Sequence, residues 1–216
     1  MFLFESAYIA GRFEAYVGHA PRTDSRVIVN GVSEAEFEPI DHTGAQFDLV
    51  YLGELRSAKG VDTLLTALSI LREHHAKQPT ILIVGSGPDE DALRAMADSL
   101  NVSAQCTFAP PGPIRQALAR ARIMVVPSRA ESLPYVILEA AAAAQPLVST
   151  NVGGIGEICG PKYAHRLIEP NDAGMLASAI NASLDKPLEE LTAEATELAA
   201  FVHTTFRLDT MIDNVI

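Results

Sequence analysis

Two acidic side chains, Glu131 and Glu139, stand in a largely apolar stretch, PSRAESLPYVILEAAAAAQPLVSTNVGGIGE, spanning residues 127–157. A carboxylate among apolar neighbours is costly unless something pairs with it. When ionised it can only accept hydrogen bonds, and its two oxygens suit a pair of hydroxyl donors. One reading is structural, with each glutamate salt-bridged to an arginine. The other is that they serve a site, which the residues on either side must decide. Between them Pro134 suits the first turn of a helix, where its missing N–H would have no partner. Ala141 to Ala144 combine high helix propensity with little bulk, so that helix can pack closely on both sides. Its start would offer free N–H groups and a positive dipole end to an anion.

Pro127, Ser128, Glu131, Glu139, Ala140, Pro146, Gly153 and Gly154 fall in register on the pattern PS-x-x-E-G-F-G-x-x-x-x-E-A-x-A-x-G-x-P-V, then a short strand and G-G. This resembles the donor-binding signature of the family 4 glycosyltransferases. These are retaining enzymes of GT-B architecture, in which two Rossmann-like domains face each other across a cleft. The resemblance runs from about Val27 to the C-terminus. It implies a C-terminal domain that binds a nucleotide-diphosphate sugar, in an enzyme passing a hexose from UDP- or GDP-sugar to an acceptor hydroxyl in polysaccharide or glycoconjugate synthesis. It also implies that Glu131 touches hydroxyls of the transferred sugar and Glu139 those of the ribose. The family has Phe-Gly where this chain has Leu133-Pro134. Pro134 donates nothing, so the N–H groups of Leu133, Tyr135 and Val136, beside Ser132, are left to hold the phosphates. Gln145 is read as replacing the family's glycine before Pro146.

Three other strand ends carry candidates. Gly53-Glu54-Leu55-Arg56-Ser57-Ala58-Lys59-Gly60 resembles the Gly-Arg and Lys-Gly that hold the donor diphosphate in the family. Lys59 matches the lysine, Glu54 stands in place of the arginine, and Arg56 is the candidate to take over its contact; a solvated turn is the alternative. Gly85-Ser86-Gly87-Pro88 resembles the family's G-x-G-P, a tight turn that lets a ligand approach the backbone. As a dinucleotide fingerprint it is incomplete, lacking a third glycine. Asp89, Glu90 and Asp91 look like a D-x-D metal motif, but acids there complement a helix N-terminus. Phe108 to Ile114 are candidates for the base pocket by the same resemblance. Arg115, Arg120, Arg122 and Arg129 are read mainly as solvating helix faces.

The chain has 216 residues, 48% of them hydrophobic, enough for one domain with a sizeable core. Its formal net charge of -11 argues against a nucleic-acid partner. The two cysteines, Cys106 and Cys159, have neither metal nor redox spacing, and structural thiols in a reducing cytoplasm fit best. The six histidines show no ligand or triad spacing. No cofactor or metal is expected. The N-terminus is not a signal peptide, because it lacks a basic leader and is interrupted by Glu5.

The elements that must position these residues read as an α/β domain. The runs FDLVYLG, TILIVG, AQCTFA, RIMVVP and PLVST alternate with helical patterns, and HRLIEP is a possible further strand. This gives a Rossmann-like parallel sheet of about six strands with helices on both faces, the C-terminal half of a GT-B fold. Residues 46–200 would form the nucleotide-sugar-binding domain. Residues 1–45 would be an N-terminal helix and interdomain linker, with Val27 to Asn30 a short strand, and 201–216 a helical tail. Phe201, Phe206 and Met211 would seek a partner surface. The expected partners are the nucleotide sugar and a sugar or lipid-linked acceptor, the latter held by an N-terminal domain that the resemblance implies is missing from this sequence. Two other readings of the same fold stay open: a nucleotide-sugar epimerase, and a non-catalytic ligand-binding module.

Overall fold

The computed structural model of the chain describes residues 1–18 and 24–215, so the loop expected from Gly18 to Ser25 lies largely outside the described residues. The N-terminal stretch is not one helix. Phe2–Phe4 form a strand (β1) and Ala7–Val17 a helix (α1), begun by Ser6, whose Oγ accepts from the Ile9 N–H at 3.1 Å. The alternation of Phe2 and Phe4, which helical spacing hides, belongs to that strand. Their rings meet Phe13 at 5.1 and 5.2 Å. β1 pairs in parallel with Ser25–Val27 (β2), which lies slightly upstream of the expected Val27 to Asn30.

The main sheet follows. Its elements are Phe47–Leu52 (β3), Val61–His75 (α2), Ile81–Val84 (β4), Glu90–Ser99 (α3), Cys106–Ala109 (β5), Ile114–Leu118 (α4), Ala121–Val126 (β6), Tyr135–Ala142 (α5), Leu147–Ser149 (β7), Ile155–Tyr163 (α6) and Ala173–Asp185 (α7). The order is β5-β4-β3-β6-β7, all parallel. Successive residues of β3 point to opposite faces. Leu49 and Tyr51 join one buried cluster with Leu64, Leu68 and Ile180; Val50 and Leu52 join another with Ile137, Leu138 and Ile158. A central strand buried on both faces needs an unbroken apolar run, which FDLVYL supplies. HRLIEP contributes only a single bridge, between Thr150 and Ile168, so the sheet has five full strands rather than six.

Leu188–Thr205 (α8) packs on α5 and α6, and Leu208–Val215 (α9) ends the described chain. Contrary to expectation, the tail's Phe206 is 2% exposed and buried within this chain, and Phe201 packs against the same core. Val32 N–H donates to Phe206 O at 2.8 Å, Leu208 N–H to Val32 O at 2.9 Å, and Gly31 N–H to Met211 Sδ at 3.3 Å. The tail and the 30–32 turn therefore form one unit.

Candidate functional site

The strand order reverses between β3 and β6. Ligands of open parallel sheets bind outside the carboxyl ends of the strands at such a switch point. The two loops that leave these strands are 53–60 and 127–134, and they carry most of the sequence candidates.

Their close approach depends on backbone fit. Gly60 has φ 69, and a Cβ there would lie 2.0 Å from Pro127 O. Only glycine accepts both demands. Arg129 then fastens the loops. Its N–H donates to Ala58 O at 2.8 Å, and its guanidinium bonds Ser57 O, Asn171, Asp62 (2.7 Å) and Thr63 (2.9 Å). Arg129 is thus tied into the site rather than solvating a helix face. Its place directly after Pro127-Ser128 was the only clue, because its partners come from three separate segments.

In this frame Lys59 Nζ lies 2.7 and 2.9 Å from the two carboxylate oxygens of Glu131, and Ser128 Oγ donates to Oε1 at 2.7 Å. Ser128 is buried, and the Glu131 side chain is only 8% exposed. A carboxylate offers about four lone-pair directions. Three are used, so one remains for an incoming hydroxyl. Tyr51 lies below; its OH donates to Glu54 O at 2.9 Å. Burial first, then the charges of Glu131 and Glu54, hold its phenol far above the ordinary range.

The remaining candidates divide. Glu54 and Arg56 pair with each other at 2.9 Å, both side chains half exposed. A cavity of about 330 Å³ opens beside them, lined by Gly53, Glu54, Gly85, Ser86, Pro111 and Gly112. Gly85 and Gly87 also answer to a packing demand. A Cβ on Gly85 would meet Gly53 O at 1.9 Å and one on Gly87 Leu55 O at 2.3 Å, so glycine at both positions lets the 53–55 loop come close. Phe108 already carries the Arg94 guanidinium 4.3 Å from its ring centre, and Ile114 packs against the core. Glu90 pairs with Arg94 at 2.8 Å, in keeping with an acidic helix start.

Pro134 is the residue before α5 rather than its first member, and no side chain caps the helix. The Tyr135 and Val136 N–H groups have no partner among the described residues, while the Leu133 side chain is buried. Glu139, about one turn on, is half-buried and has no hydrogen-bond partner among the described residues. Burial, then the charge of Glu36, raises its carboxyl above the usual range. It makes no bond to the Lys59–Glu131 pair. At the end of α5 the left-handed position that glycine suits is Ala144 (φ 54), not Gln145, which corrects the sequence register.

A family model described as glycosyl transferases group 1 matches residues 32–199. The chain belongs to that family. It is 35% identical over 166 residues to a glycogen synthase of Mycobacterium tuberculosis, covering 74% of this chain and 40% of the relative. It is 29% identical over 211 residues to a D-inositol 3-phosphate glycosyltransferase of Acidothermus cellulolyticus, covering 88% and 46%. The chain thus spans less than half the length of these curated relatives. Among solved structures, sucrose-phosphate synthase from Thermosynechococcus elongatus superposes with TM-score 0.86 at 22% identity, covering 99% of this chain and 56% of that one. HepE of Anabaena in complex with UDP gives 0.85 at 20% identity, covering 99% and 61%. The fold is therefore the glycosyltransferase GT-B half that the sequence reading expected.

A separate cavity of about 310 Å³ lies between β7, α7 and α8, lined in part by Gln145, Cys159, Tyr163 and Leu198. Of the signature positions only Gln145 and Pro146 line it. Burial pushes the Cys159 thiol up to about 12 and that of Cys106 to about 11, as inert structural cysteines require. Among the described residues no helix is long and apolar enough to cross a membrane.

Proposed function

We propose that this chain is the donor-binding half of a glycosyltransferase that moves a hexosyl group from a nucleotide-diphosphate sugar to an acceptor hydroxyl with retention. The observation that carries the reading is the Lys59–Glu131–Ser128 cluster at the switch point between β3 and β6. In this scheme Lys59 and the free N–H groups of Tyr135 and Val136 receive the diphosphate. They stabilise the negative charge that develops as the sugar–phosphate bond breaks. Glu131 holds Lys59 in place and accepts from a sugar hydroxyl. Glu139, without a partner among the described residues, accepts from the ribose. The UDP bound by HepE supports a uridine nucleotide in the first instance. Acceptor binding is assigned to a further Rossmann-like domain.

Calorimetric titration of the chain with UDP, GDP, ADP and UDP-glucose tests the proposal. Binding of one nucleotide in the micromolar to millimolar range, lost in Lys59→Ala, is the expected outcome. No binding of any of the four overturns it.

A further inference from the structure

Glu157 closes the stretch that carries Glu131 and Glu139, and the reading above gives it no task. Its carboxylate lies on the start of α1, far away in sequence. Oε2 accepts from the Ala7 N–H at 2.9 Å and Oε1 from the Tyr8 N–H at 2.8 Å. Two charge-assisted bonds to consecutive amides at the positive end of a helix dipole form a strong, directional contact. α1 has no acidic residue in its own first turn. Its negative cap is thus supplied by α6.

The same segment touches the donor loop. The Gly154 N–H donates to Ser132 O at 2.6 Å. A Cβ on Gly154 would lie 2.6 Å from Ser132 O, 2.7 Å from Leu133 Cδ1 and 3.3 Å from Ser6 Cβ. Ser6 is fully buried there, one residue ahead of the amides that Glu157 holds. Asn30 Nδ2 donates to Leu133 O at 3.2 Å from the N-terminal side. Ser6, Gly154 and Ser132 therefore leave no slack between α1 and the 131–134 loop.

We infer that Glu157 is a positioning residue that couples the docking of α1 to the conformation of the 131–134 loop, so that nucleotide affinity at this loop depends on α1 being held. The inference rests on the nucleotide-binding reading above for its affinity arm only. Coupling of this kind is reciprocal, so a bound nucleotide also tightens α1.

Two variants of the full chain test it. Glu157→Ala removes the acceptor. Ala7→Pro removes one donor and leaves Glu157 intact, at a first helical position that tolerates proline, after a Ser6 that is already extended at φ -154, ψ 156. Amide hydrogen exchange and UDP calorimetry are the readouts. Both variants should speed exchange at Tyr8 and at Gly154 and weaken UDP about fivefold, within the range usual for coupled sites. Glu157→Gln, which keeps an acceptor, should fall between them and the parent chain. Faster exchange at Tyr8 with Gly154 and UDP affinity unchanged would reduce Glu157 to a plain helix cap and overturn the inference. If the parent chain binds no UDP, the nucleotide reading fails, and exchange at Gly154 alone decides the coupling.

Discussion

Lys59 and Glu131 come from loops 72 residues apart in the chain and meet through both carboxylate oxygens, with Ser128 as the third partner. The pair is a built feature of the β3–β6 switch point. Lys59→Ala would leave a nearly buried carboxylate with Ser128 as its one remaining partner among the described residues. A buried acceptor stripped of its partner costs about 1–3 kcal/mol. Urea unfolding should show that loss for Lys59→Ala. It should show a smaller loss for Glu131→Gln, and for the double variant a cost below the sum of the two. Strict additivity would mean that the contact has no energetic standing.

Glu139 is expected to trade stability for binding. Burial, then Glu36, raises its folded carboxyl above the unfolded value. A raised carboxyl contributes stability that is fully present below the unfolded value, near 4.3, and is lost as pH rises through the folded one. At pH 7.5 the ionised side chain is therefore a cost. Glu139→Gln should unfold at higher urea than the parent chain at that pH, with the difference closing towards pH 4. The same variant should bind UDP about tenfold more weakly, because hydrogen bonds to a charged acceptor are the stronger kind. A variant that is both less stable and unaltered in binding would make Glu139 a structural acid.

The apolar runs FDLVYL, ILIV and ARIMVV announced the sheet, because strands covered on both faces have little freedom to be anything else. Short elements were harder to read. Phe2–Phe4 is three residues long and its phenylalanines also fit a helical repeat, so β1 was absorbed into α1. Lys59 and Glu131 were each recognisable by motif. Their direct pairing was not, since it depends on strand order rather than on either loop. Arg129 and Glu157 were overlooked for a related reason. Each acts on backbone or side chains from distant segments, and nothing local marks an arginine that ties loops or a glutamate that caps another helix.

The Glu54–Arg56 pair makes a sharper prediction about charge. Both side chains are half exposed, and Glu54 lines the cavity between the glycine turns. An anion there opposes a diphosphate and also occupies Arg56. Glu54→Arg would replace the anion with a cation and release Arg56. UDP should bind about tenfold more tightly at low salt, consistent with one added charge-assisted contact, and the gain should shrink near 1 M salt, where screening acts within roughly 3 Å. Unchanged or weaker binding would place the phosphates away from this turn.

Ala144 gives the chain a stability reserve that is independent of the donor site. At the end of α5 the Ala144 N–H donates to Ala141 O at 3.1 Å and the Gln145 N–H to Ala140 O at 2.9 Å. This is the bonding of a Schellman motif, in which the residue at Ala144 must be left-handed, as its φ of 54 shows. An alanine there carries a steric penalty of about 1–2 kcal/mol that glycine avoids. Ala144→Gly also loosens the unfolded chain, which offsets part of that gain. The net expectation is a stabilisation of about 1 kcal/mol, or about 2–4 °C in Tm for a chain of this size, with UDP affinity unchanged. Gly60→Ala, read in the same melting experiment, should lower Tm, because its Cβ would meet Pro127 O at 2.0 Å. An Ala144→Gly variant that melts lower than the parent would show that α5 ends without the left-handed turn, and with it would go the close seat of Pro146 and β7 against the site.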